Sequence, residues 1–460
     1  MATQTIPEHI FRAYDIRGIV GEGLDDQIVT LIGKAVATEA LELGEKQLIV
    51  GADARLSSPA FTKALLEGIL STGCDAVNIG TVPTPLLYFA THTLESRSGI
   101  MITGSHNPKN YNGLKLVLQN QCLAADQITR IKERIQQGRF ITGQGSTSTL
   151  DIRPDYIKRI CNDIVLTRPT KVVIDCGNAV AANCAPMLYA ALGCQVIPLY
   201  CETDGNFPNH HPDPTRRENL EDLIAAVAEH QADLGIAFDG DADRLGLVSN
   251  SGRIIDADSM MLAFINDILP GNPEAGIIFD VKSSQQLPRL INSLNGKAIM
   301  CKSGHSFVKQ KMVETGALLG GEYSAHLFFK HRWYGFDDGL YAAARFLELL
   351  DKNQGTADAL LAAWPEFYCT PEILVAVSED SKFKLMAILL ENLEIPGARI
   401  NRLDGIRAET DHAWGLVRAS NTTPNLILRF EGDSAEALEH IQHVFREALS
   451  IHLPNLPLDF

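Results

Sequence analysis

Three short polar clusters in this 460-residue sequence contain residue types that enzymes use for catalysis, and each cluster follows a short apolar run. The first cluster, residues 103–108, places Ser105 on a turn rich in Gly, Asn and Pro. A serine presented at the end of a strand is a potential nucleophile when a neighbouring group activates it. The surrounding residues do not match the G-x-S-x-G elbow of hydrolases. Taken alone, they are more typical of an ordinary polar turn, so the serine needs support from elsewhere in the sequence.

The second cluster predicts a metal site. Asp239, Asp241 and Asp243 alternate with small residues after a buried run, and Arg244 follows them directly. Three carboxylates on a curved loop can converge on one Mg²⁺, and the arginine could hold a phosphate beside it. The calcium loop of EF-hands does not match, because its final glutamate is absent. Without a cation the three acids would repel one another, so we favour a metal site over a surface turn.

The third cluster contains Glu322, Ser324 and His326 at alternating positions. An extended segment would place all three side chains on one side, where they could bind sugar hydroxyls. An exposed edge strand with polar alternation explains the same pattern equally well.

Further polar segments point to a phosphorylated ligand. Residues 418–424 combine Arg418 with several hydroxyls, which is typical of an anion-binding loop but also of an ordinary turn. Arg12 and Arg17 flank a second polar loop near the N-terminus, where a solvated pair of cations is the alternative. His305 stands at a predicted helix start, a position at which a single histidine is more often structural.

The composition excludes several classes of protein. Lys and Arg number 40 against 56 Asp and Glu, which gives a formal net charge of −16 and a pI near 5.3. Such a field repels polyanions, so we expect neither a nucleic-acid partner nor an acidic membrane surface. The sequence also lacks the ~20-residue apolar stretch of a membrane span, a signal-peptide start and any C-x-x-C pair among its nine cysteines. We therefore expect a soluble, cytoplasmic enzyme with reduced thiols.

The elements that must position these clusters recur along the chain. Short apolar strands that end in Asp53, Asp175 and Asp280 are each followed by a helix and two further strands. Helices that alternate with such strands indicate α/β sheets, in which ligands bind outside the carboxyl ends of the strands. Each polar cluster follows the third strand of its repeat. The sequence thus predicts an α/β protein with three similar tandem mixed-sheet domains and a smaller C-terminal α+β domain.

Composition also predicts two local features. Ser58 and Pro59 are typical of an N-cap and a first helical position, and Gly73 is typical of a helix end. Residues 140–148, rich in Gly, Ser and Thr, predict a linker. Domain boundaries are expected near residues 150, 253 and 365.

The motifs, taken together and in this order, resemble the α-D-phosphohexomutase superfamily, in particular its bacterial phosphomannomutase/phosphoglucomutase group. The resemblance spans essentially the whole chain, from residue 11 to the C-terminal phosphate loop. It implies four domains around a central cleft, at residues 1–150 (phosphoserine loop), 151–253 (metal loop), 254–365 (sugar-binding loop) and 366–460 (phosphate-binding loop).

The resemblance also implies a role for each candidate residue. Ser105 resembles the serine that carries a phosphoryl group, and its phosphate oxygen would complete an Mg²⁺ site with Asp239, Asp241 and Asp243. Glu322 and Ser324 resemble residues that bind sugar hydroxyls, with His326 beside them. The other implied substrate-binding residues are Tyr14, Arg244, Arg418, Ser420, Asn421 and Thr422. Arg17, Lys115 and His305 resemble catalytic residues, and the choice between Lys115 and His305 as general base stays open.

The implied reaction is reversible phosphoryl transfer between O1 and O6 of mannose or glucose phosphates, through a phosphoserine enzyme and a hexose 1,6-bisphosphate. Mg²⁺ is the implied metal, glucose 1,6-bisphosphate or mannose 1,6-bisphosphate the activator, and small phosphosugars the partners of a monomer or weak dimer. A phosphoglucosamine mutase, a Mg²⁺-dependent phosphatase with an aspartate nucleophile and a non-catalytic phosphosugar sensor are the alternatives.

Two loops depart from the family's usual pattern. The metal loop often has Gly where Ala242 stands, and the sugar loop often has Met and Gly where this chain has Tyr323 and Ala325. Neither change removes a ligand, and Ala325 is expected to tilt the segment that carries the sugar-binding side chains.

Overall fold

The structure, a computed structural model, describes residues 6–12, 14–365, 368–420, 423–454, 456, 458 and 460. Four β-sheets follow one another along this described part of the chain. The candidate phosphate-binding residues Asn421 and Thr422 lie outside it. None of the helices that the structure describes has both the length and the apolar character needed to cross a bilayer.

The first unit of the fold contains an eight-stranded mixed sheet. Its elements are β1 (Ile16–Val20), β2 (Gly23–Leu24), α1 (Asp26–Glu42), β3 (Gln47–Ala52), α2 (Ser58–Leu70), β4 (Asp75–Thr81), α3 (Thr84–Thr93), β5 (Gly99–Ile102), β6 (Tyr111–Leu118), β7 (Gln121–Cys122), α4 (Asp126–Gln136) and β8 (Thr147–Thr149). The strand order is β2-β1-β6-β5-β3-β4-β8, and β7 pairs with β6.

The second and third units contain smaller mixed sheets. The second unit comprises α5 (Arg153–Asp163), β9 (Lys171–Asp175), α6 (Ala185–Ala191), β10 (Gln195–Leu199), α7 (Glu221–His230), β11 (Leu234–Phe238), β12 (Leu245–Ser249) and β13 (Ile254–Ile255). The third comprises α8 (Ala257–Ile268), β14 (Gly276–Asp280), α9 (Gln286–Ser293), β15 (Lys297–Cys301), α10 (His305–Thr315), β16 (Leu319–Gly321), β17 (Leu327–Phe329), α11 (Gly339–Asn353) and α12 (Ala357–Leu361).

The first three units share one plan, which confirms the repeat predicted from the sequence. In each unit three parallel strands are followed by a fourth, antiparallel strand, in the orders β4-β3-β5-β6, β10-β9-β11-β12 and β15-β14-β16-β17. The chain reverses between the third and the fourth strand. Each of the three polar clusters lies on this reversal, so the shared topology places them at equivalent positions.

The fourth unit is an antiparallel α+β structure, as predicted. Its elements are β18 (Tyr368–Cys369), β19 (Ile373–Ala376), α13 (Glu379–Asn392), β20 (Arg399–Asn401), β21 (Ile406–Glu409), β22 (Ala413–Ala419), β23 (Asn425–Gly432) and α14 (Ala435–His452). The strand order is β18-β23-β22-β21-β20, with β19 also paired to β23.

The hydrophobic cores separate the fourth unit from the other three. One continuous buried cluster includes Leu86 of the first unit, Leu188 of the second and Phe264 of the third. Phe430 belongs to a separate cluster formed within the fourth unit. Only a small buried group around Trp414 spans the third and fourth units among the described clusters. The first three units are therefore held together by shared apolar burial, and the fourth is attached mainly by other contacts.

The start of α2 differs from the prediction. Ser57, rather than Ser58, is the N-cap residue, and its side chain makes no capping hydrogen bond. The Ser58 hydroxyl instead donates to Asp53 Oδ1 at 2.6 Å. A buried carboxylate is a stronger acceptor than a neutral group, which explains why Ser58 turns inward.

The predicted linker at residues 140–148 is also different in the structure. Its last residues enter β8, which pairs in parallel with β4 at the edge of the first sheet. A Cβ atom on Gly145 would lie 2.1 Å from the carbonyl oxygen of Cys74, so glycine is needed for this close approach. Small residues serve both flexible linkers and tight backbone packing, and composition alone did not separate the two.

We predict that Gly68→Ala destabilises the first unit. A Cβ atom on Gly68 of α2 would lie 2.2 Å from the Thr30 carbonyl oxygen of α1, so the two helices would have to separate. The expected loss is about 1–3 kcal/mol of unfolding free energy, measured by urea denaturation. Gly271→Ala is the matched control, because nothing lies within 4 Å of its Cβ position. Equal midpoints for the two variants would contradict the close packing of α1 and α2.

Candidate active site

The three polar clusters converge where the first three units meet. The Ser105 hydroxyl donates to Asp239 Oδ2 at 2.8 Å, which joins the first cluster to the second. Arg244 Nε donates to His326 Nε2 at 3.0 Å, which joins the second cluster to the third. The equivalent strand reversals of the three units thus form one site, at the sheet edges where α/β proteins bind ligands.

Ser105 lies on a tightly constrained turn. Its φ angle is +46°, in the left-handed region that residues other than glycine seldom adopt. The Ser105 backbone N–H donates to Thr103 Oγ1 at 2.8 Å. A Cβ atom on Gly240 of the metal loop would lie 2.2 Å from the Ser105 carbonyl oxygen. The absence of a side chain at Gly240 therefore allows the serine and metal loops to touch.

Arg55, which belongs to none of the sequence motifs, holds the serine loop in place. Its Nη2 donates to the carbonyl oxygens of Ser105 and Asn107, each at 2.6 Å. Its Nη1 donates to the Pro108 carbonyl oxygen at 2.6 Å, and its Nε pairs with Asp53 at 3.2 Å. These three carbonyl partners are 50 to 53 positions away in sequence, so no local pattern around Arg55 indicates this role.

The acids that end the first strand of each repeat anchor the functional loops. The contacts are Gly104 N–H to Asp53 Oδ2 (3.0 Å), His210 Nε2 to Asp175 Oδ2 (2.9 Å) and Tyr323 N–H to Asp280 Oδ1 (3.3 Å). All three carboxylates are buried. They hold the serine loop, the loop before α7 and the sugar loop, respectively, so the repeated acid is a structural device and not itself a catalytic group.

The second cluster forms a fully buried carboxylate triad. One oxygen each of Asp239, Asp241 and Asp243 lies within 4.8 Å of the others. Asp241 Oδ1 and Asp243 Oδ1 are buried without a hydrogen-bond partner among the described residues. Three hard oxygen ligands with unused acceptor capacity match the preference of Mg²⁺. The residues present therefore fit the metal site predicted from the sequence.

Charge within the triad is unevenly compensated. Lys115 Nζ donates to Asp241 Oδ2 at 2.6 Å and also to Asp243 Oδ2. Burial opposes ionisation of these two carboxyls, but the Lys115 ammonium outweighs it and holds the pKa of each below its usual range. Burial and the neighbouring carboxylates raise the pKa of Asp239 well above its ordinary value. The Asp239 side of the triad therefore gains most from an added cation.

His305 and Lys115 differ in their protonation. Burial alone would lower the pKa of Lys115, but Asp241 and Asp243 raise it above its ordinary value and hold the ammonium form. Burial and the nearby Lys309 and Lys115 lower the pKa of His305 well below its ordinary value. The lowered pKa favours the neutral form of the His305 ring.

The sugar loop is a tight turn, so the predicted extended segment is wrong. The Ala325 N–H donates to the Glu322 carbonyl oxygen at 2.9 Å, and the Glu322 N–H donates to that of His326 at 3.0 Å. The chain must reverse here because β16 and β17 are antiparallel. Glu322 Oε1 accepts from the Gly304 N–H at 2.5 Å, while its Oε2 is buried with no partner in the described part of the chain.

The two alanine departures from the family pattern share one backbone property. Ala242 has a φ angle of +62° and Ala325 one of +66°. Both positions thus adopt the left-handed conformation for which glycine is the usual residue, at a cost of roughly 1 kcal/mol each. Both departures therefore place a residue that has a side chain in a strained backbone conformation.

The fourth unit contributes Arg418 and Ser420. Arg418 pairs with Asp404 at 3.0 Å, and Asp404 Oδ2 accepts from the Ser303 N–H of the third unit at 3.0 Å. Ser420 Oγ accepts from the Thr423 N–H at 3.1 Å. The described part of the predicted phosphate loop therefore lies close to the start of α10.

A cavity of about 630 Å³ connects all four units. The predicted site residues that line it are Tyr14, Arg17, Ser105, Lys115, Arg244, His305, Glu322, Ser324, His326, Arg418 and Ser420. The three carboxylates of the candidate metal site lie behind this lining. Asp239 accepts from Ser105, and Asp241 and Asp243 accept from Lys115. Among the described lining residues, eight are Lys or Arg and five are Asp or Glu, although the whole chain carries a net charge of −16. The cleft is therefore suited to a small anionic ligand.

Comparisons with known proteins agree with this architecture. Four family models match in order, all described as phosphoglucomutase/phosphomannomutase: alpha/beta/alpha domain I at residues 8–142, domain II at 154–252, domain III at 256–367 and the C-terminal domain at 372–448. The chain is 51% identical to "Phosphomannomutase/phosphoglucomutase" of Pseudomonas aeruginosa over 456 residues, covering 99% of this chain and 98% of that protein.

Two further relatives match over nearly the full length. "Phosphoglucomutase" of Neisseria meningitidis is 46% identical over 455 residues, with 98% of each chain covered. A crystal structure of a phosphoglucomutase/phosphomannomutase family protein from Burkholderia thailandensis superposes with a TM-score of 0.95 at 45% identity, covering 99% of this chain and 100% of that one.

We predict that Arg55→Lys loosens the serine loop. Lysine keeps the charge but loses the planar fork that contacts several carbonyl oxygens at once. The unfolding free energy should fall by about 3 kcal/mol, the scale of one or two hydrogen bonds to a charged group. Amide hydrogen exchange of residues 104–107 should become faster.

The control for this prediction is Arg97→Lys. The Arg97 side chain is 57% exposed and its Glu45 partner lies 3.7 Å away, so this change should alter neither quantity. Unchanged exchange in Arg55→Lys would show that the loop is held by other contacts.

Proposed function

The chain belongs to the phosphoglucomutase/phosphomannomutase family, and we propose that Ser105 carries the phosphoryl group that this isomerase moves. The enzyme is a phosphohexomutase, which transfers a phosphoryl group between C1 and C6 of a sugar phosphate. One observation carries the assignment of Ser105: the residue lines the cation-rich cleft, and its hydroxyl lies 2.8 Å from a carboxylate of the proposed metal site. A nucleophile at this position has both the cations and the metal ligands that phosphoryl transfer requires.

The transfer takes two steps: one phosphoryl group passes from Ser105 to the sugar, and another passes from the sugar to Ser105. Phosphorylated Ser105 gives its phosphoryl group to the free O1 or O6 hydroxyl, so the serine O–P bond breaks and a sugar O–P bond forms. The hydroxyl proton passes through a base to the serine oxygen that is released. The resulting hexose 1,6-bisphosphate turns within the cleft. Its other phosphoryl group then returns to Ser105, and the sugar oxygen released takes back a proton. Mannose and glucose phosphates are the substrates we infer.

His305 suits the role of general base, and Lys115 that of a fixed cation. The neutral His305 ring can accept the hydroxyl proton, whereas Lys115 is held as an ammonium by Asp241 and Asp243. Tyr14 contacts the His305 ring edge-on, with ring centroids 5.5 Å apart, and limits its movement. Arg17, paired with Asp15 at 2.6 Å, lines the same part of the cleft and would stabilise the negative charge of the transferring group.

The metal-site carboxylates would bind Mg²⁺ together with an oxygen of the phosphorylated serine. Asp239, Asp241 and Asp243 supply the protein ligands in this proposal. When bound, Mg²⁺ would neutralise negative charge on the transferring phosphoryl group.

The remaining lining residues are assigned to the substrate. Glu322 has one buried, unpartnered carboxylate oxygen, which would accept from a sugar hydroxyl, and Ser324 would bind a second hydroxyl. The distal phosphate is assigned to Arg418, Ser420, Asn421 and Thr422, and the phosphate near the serine to Arg244 with His326 beside it. The residues assigned to the distal phosphate contact the phosphate and not the sugar ring. A sugar phosphate can therefore bind there through either its C1 or its C6 phosphate.

The remaining predictions concern the activator, the domain limits, the oligomeric state and the cellular location. When the bisphosphate leaves the cleft, Ser105 stays unphosphorylated and the enzyme is inactive. Glucose 1,6-bisphosphate or mannose 1,6-bisphosphate should therefore act as an activator, because it can phosphorylate Ser105 again. The domain limits at 150, 253 and 365, the monomer or weak dimer and the cytoplasmic location stay predictions.

Ser105→Ala tests the proposed function. Mutase turnover should fall by at least about a thousandfold, because removal of a covalent nucleophile abolishes the phosphoserine step. Binding of glucose 1-phosphate, measured by calorimetry, should persist, since the sugar and distal phosphate contacts remain. Ser146→Ala, a change at an exposed serine of the first unit, should keep wild-type turnover.

Phosphate labelling completes this test. Label from bisphosphate should appear on Ser105 of the wild-type enzyme and be absent from Ser105→Ala. Near-normal turnover of the variant would overturn the assignment of Ser105. Label on one of the three aspartates, with release of inorganic phosphate, would instead favour a phosphatase.

Metal removal gives a second prediction. Treatment with EDTA should abolish turnover reversibly, and Mg²⁺ should restore it. Asp239→Asn should raise the Kd for Mg²⁺ by about tenfold or more, because the variant loses a charged ligand. Asp338→Asn is the matched control, since Asp338 is an equally buried carboxylate outside the triad. Equal Mg²⁺ affinity in the two variants, measured by calorimetry, would contradict the triad as the metal site.

A further inference from the structure

Two cysteines of the second unit lie in direct contact, and neither of them lines the cleft. Cys176 follows β9 and Cys201 follows β10, and their Sγ atoms are 3.4 Å apart. Both residues are free thiols, and none of the other cysteines, all of which belong to the described part of the chain, contacts a second thiol. Two sulfurs at this distance can form a disulfide after a small movement.

An unusual backbone conformation brings the two thiols together. β9 and β10 pair in parallel, with Leu199 opposite Asp175. Continued by two residues, this register would point Cys201 to the face of the sheet opposite Cys176, because successive side chains of a strand alternate. Tyr200 instead has a φ angle of +51°, in the left-handed region. This turn ends the alternation and places Cys201 beside Cys176.

The two thiols differ in access and in acidity. Cys176 is completely buried, whereas Cys201 is half-buried. The hydrogen bond with Cys176 lowers the pKa of the Cys201 thiol, and burial raises the pKa of Cys176 well above its ordinary value. Cys201 is therefore the thiol that a small oxidant reaches and that reacts first, with Cys176 as its partner.

The residues on either side of Cys176 contact the loop before α7. Asp175 Oδ2 lies 2.9 Å from His210 Nε2. A Cβ atom on Gly177 would lie 3.1 Å from the Pro212 side chain, so the backbone at Gly177 packs closely against this loop. A displacement of Cys176 would therefore move the loop as well.

The loop before α7 reaches the serine loop of the first unit. His211 Nε2 lies 2.5 Å from the His106 carbonyl oxygen, and Asp213 Oδ2 lies 3.6 Å from His106 Nδ1. His106 follows Ser105 directly in sequence. The thiol pair is thus joined to the serine loop through one intervening loop.

We propose that Cys176 and Cys201 are a modification site at which hydrogen peroxide forms a reversible disulfide, and that this bond loosens the serine loop. The sulfurs of a disulfide are about 2.05 Å apart, so these two must approach by more than about 1 Å. Because Cys176 is enclosed by the core of the second unit, the movement is shared with its neighbours in the chain.

The oxidation takes two steps. The Cys201 sulfur attacks one oxygen of hydrogen peroxide, the O–O bond breaks, and the thiol proton leaves with the second oxygen as water. The Cys176 sulfur then attacks the sulfenic acid formed on Cys201, the S–O bond breaks, and a second water leaves with the Cys176 proton. Two thiols are thereby oxidised to one disulfide, while one peroxide is reduced to two waters.

The first test identifies the bond in the full-length enzyme after treatment with hydrogen peroxide. No Lys or Arg lies between Lys171 and Arg216, so trypsin leaves both cysteines on one peptide. Chymotrypsin, which cuts after Tyr189 and Tyr200, separates them, and fragmentation of the linked product distinguishes its first cysteine from nearby Cys184. Mass spectrometry should show this linked product, two hydrogen atoms lighter than its separate parts. Its absence after oxidation would overturn the proposal.

The second test measures the serine loop. In the oxidised enzyme, amide hydrogen exchange of residues 104–107 should become faster. kcat/KM should fall by about tenfold or more, because a displacement of about 1 Å at a reacting group has an effect of this size. Dithiothreitol should restore both quantities. Unchanged exchange in an enzyme that carries the disulfide would contradict the coupling to the serine loop.

Two serine variants provide the controls. Cys201→Ser should keep wild-type turnover, before and after peroxide, because it cannot form the bond. Cys369→Ser removes an exposed thiol elsewhere and should respond to peroxide as the wild-type enzyme does. An equal loss of activity in Cys201→Ser would refute the proposal.

Failure of the proposed function gives a different result. The fall in kcat/KM rests on the proposed role of Ser105, whereas the linked peptide and the faster exchange do not. A disulfide with faster exchange and unchanged kcat/KM would therefore support the modification site and contradict the role of Ser105.

Discussion

The site depends on one electrostatic constraint, which is the burial of three carboxylates within a few ångströms of one another. Asp239, Asp241 and Asp243 are fully buried, and such a group of charges is stable only when cations and donors surround it. The donors come from another unit: Ser105 and Lys115 both belong to the first. The first and second units must therefore dock to satisfy the triad. Their shared hydrophobic core makes that docking favourable, so the chemistry and the packing of these units depend on each other.

The fourth unit completes the cleft by different physical means. Its contacts with the third unit include ion pairs and cation–π interactions: Arg429 pairs with buried Asp258 at 3.2 Å, and its guanidinium carbon lies 3.8 Å from the centre of the Tyr323 ring. Tyr323 lies between Glu322 and Ser324, the two residues proposed to bind the sugar, so this contact links the fourth unit directly to that loop. The same unit adds Arg418 to a cleft that is locally rich in cations. A chain with a net charge of −16 thus has a cleft suited to a small anion, while its overall field repels long polyanions.

Much of the fold was predictable because each repeat has a recognisable pattern over a short stretch of sequence. An apolar run, an acid at its end and a helix-sized interval recur, and the structure confirms both the three similar units and the different C-terminal one. The errors have local causes as well. Alternating polarity at Glu322, Ser324 and His326 suggested an extended segment, but an antiparallel return strand requires a turn at that point. Glycine-rich residues 140–148 suggested a linker, but the glycines allow close packing against the first sheet.

The sequence by itself determined which residue types occupy each loop, and hence the class of chemistry: a serine, three acids and a set of cations for a phosphorylated ligand. Only the tertiary structure decided how those groups are paired. Ser105 and Asp239 are 134 positions apart, and the clamp by Arg55 on the serine loop has no local signature. The physical reason is that hydrogen bonds and protonation depend on distance and burial, which sequence spacing does not contain.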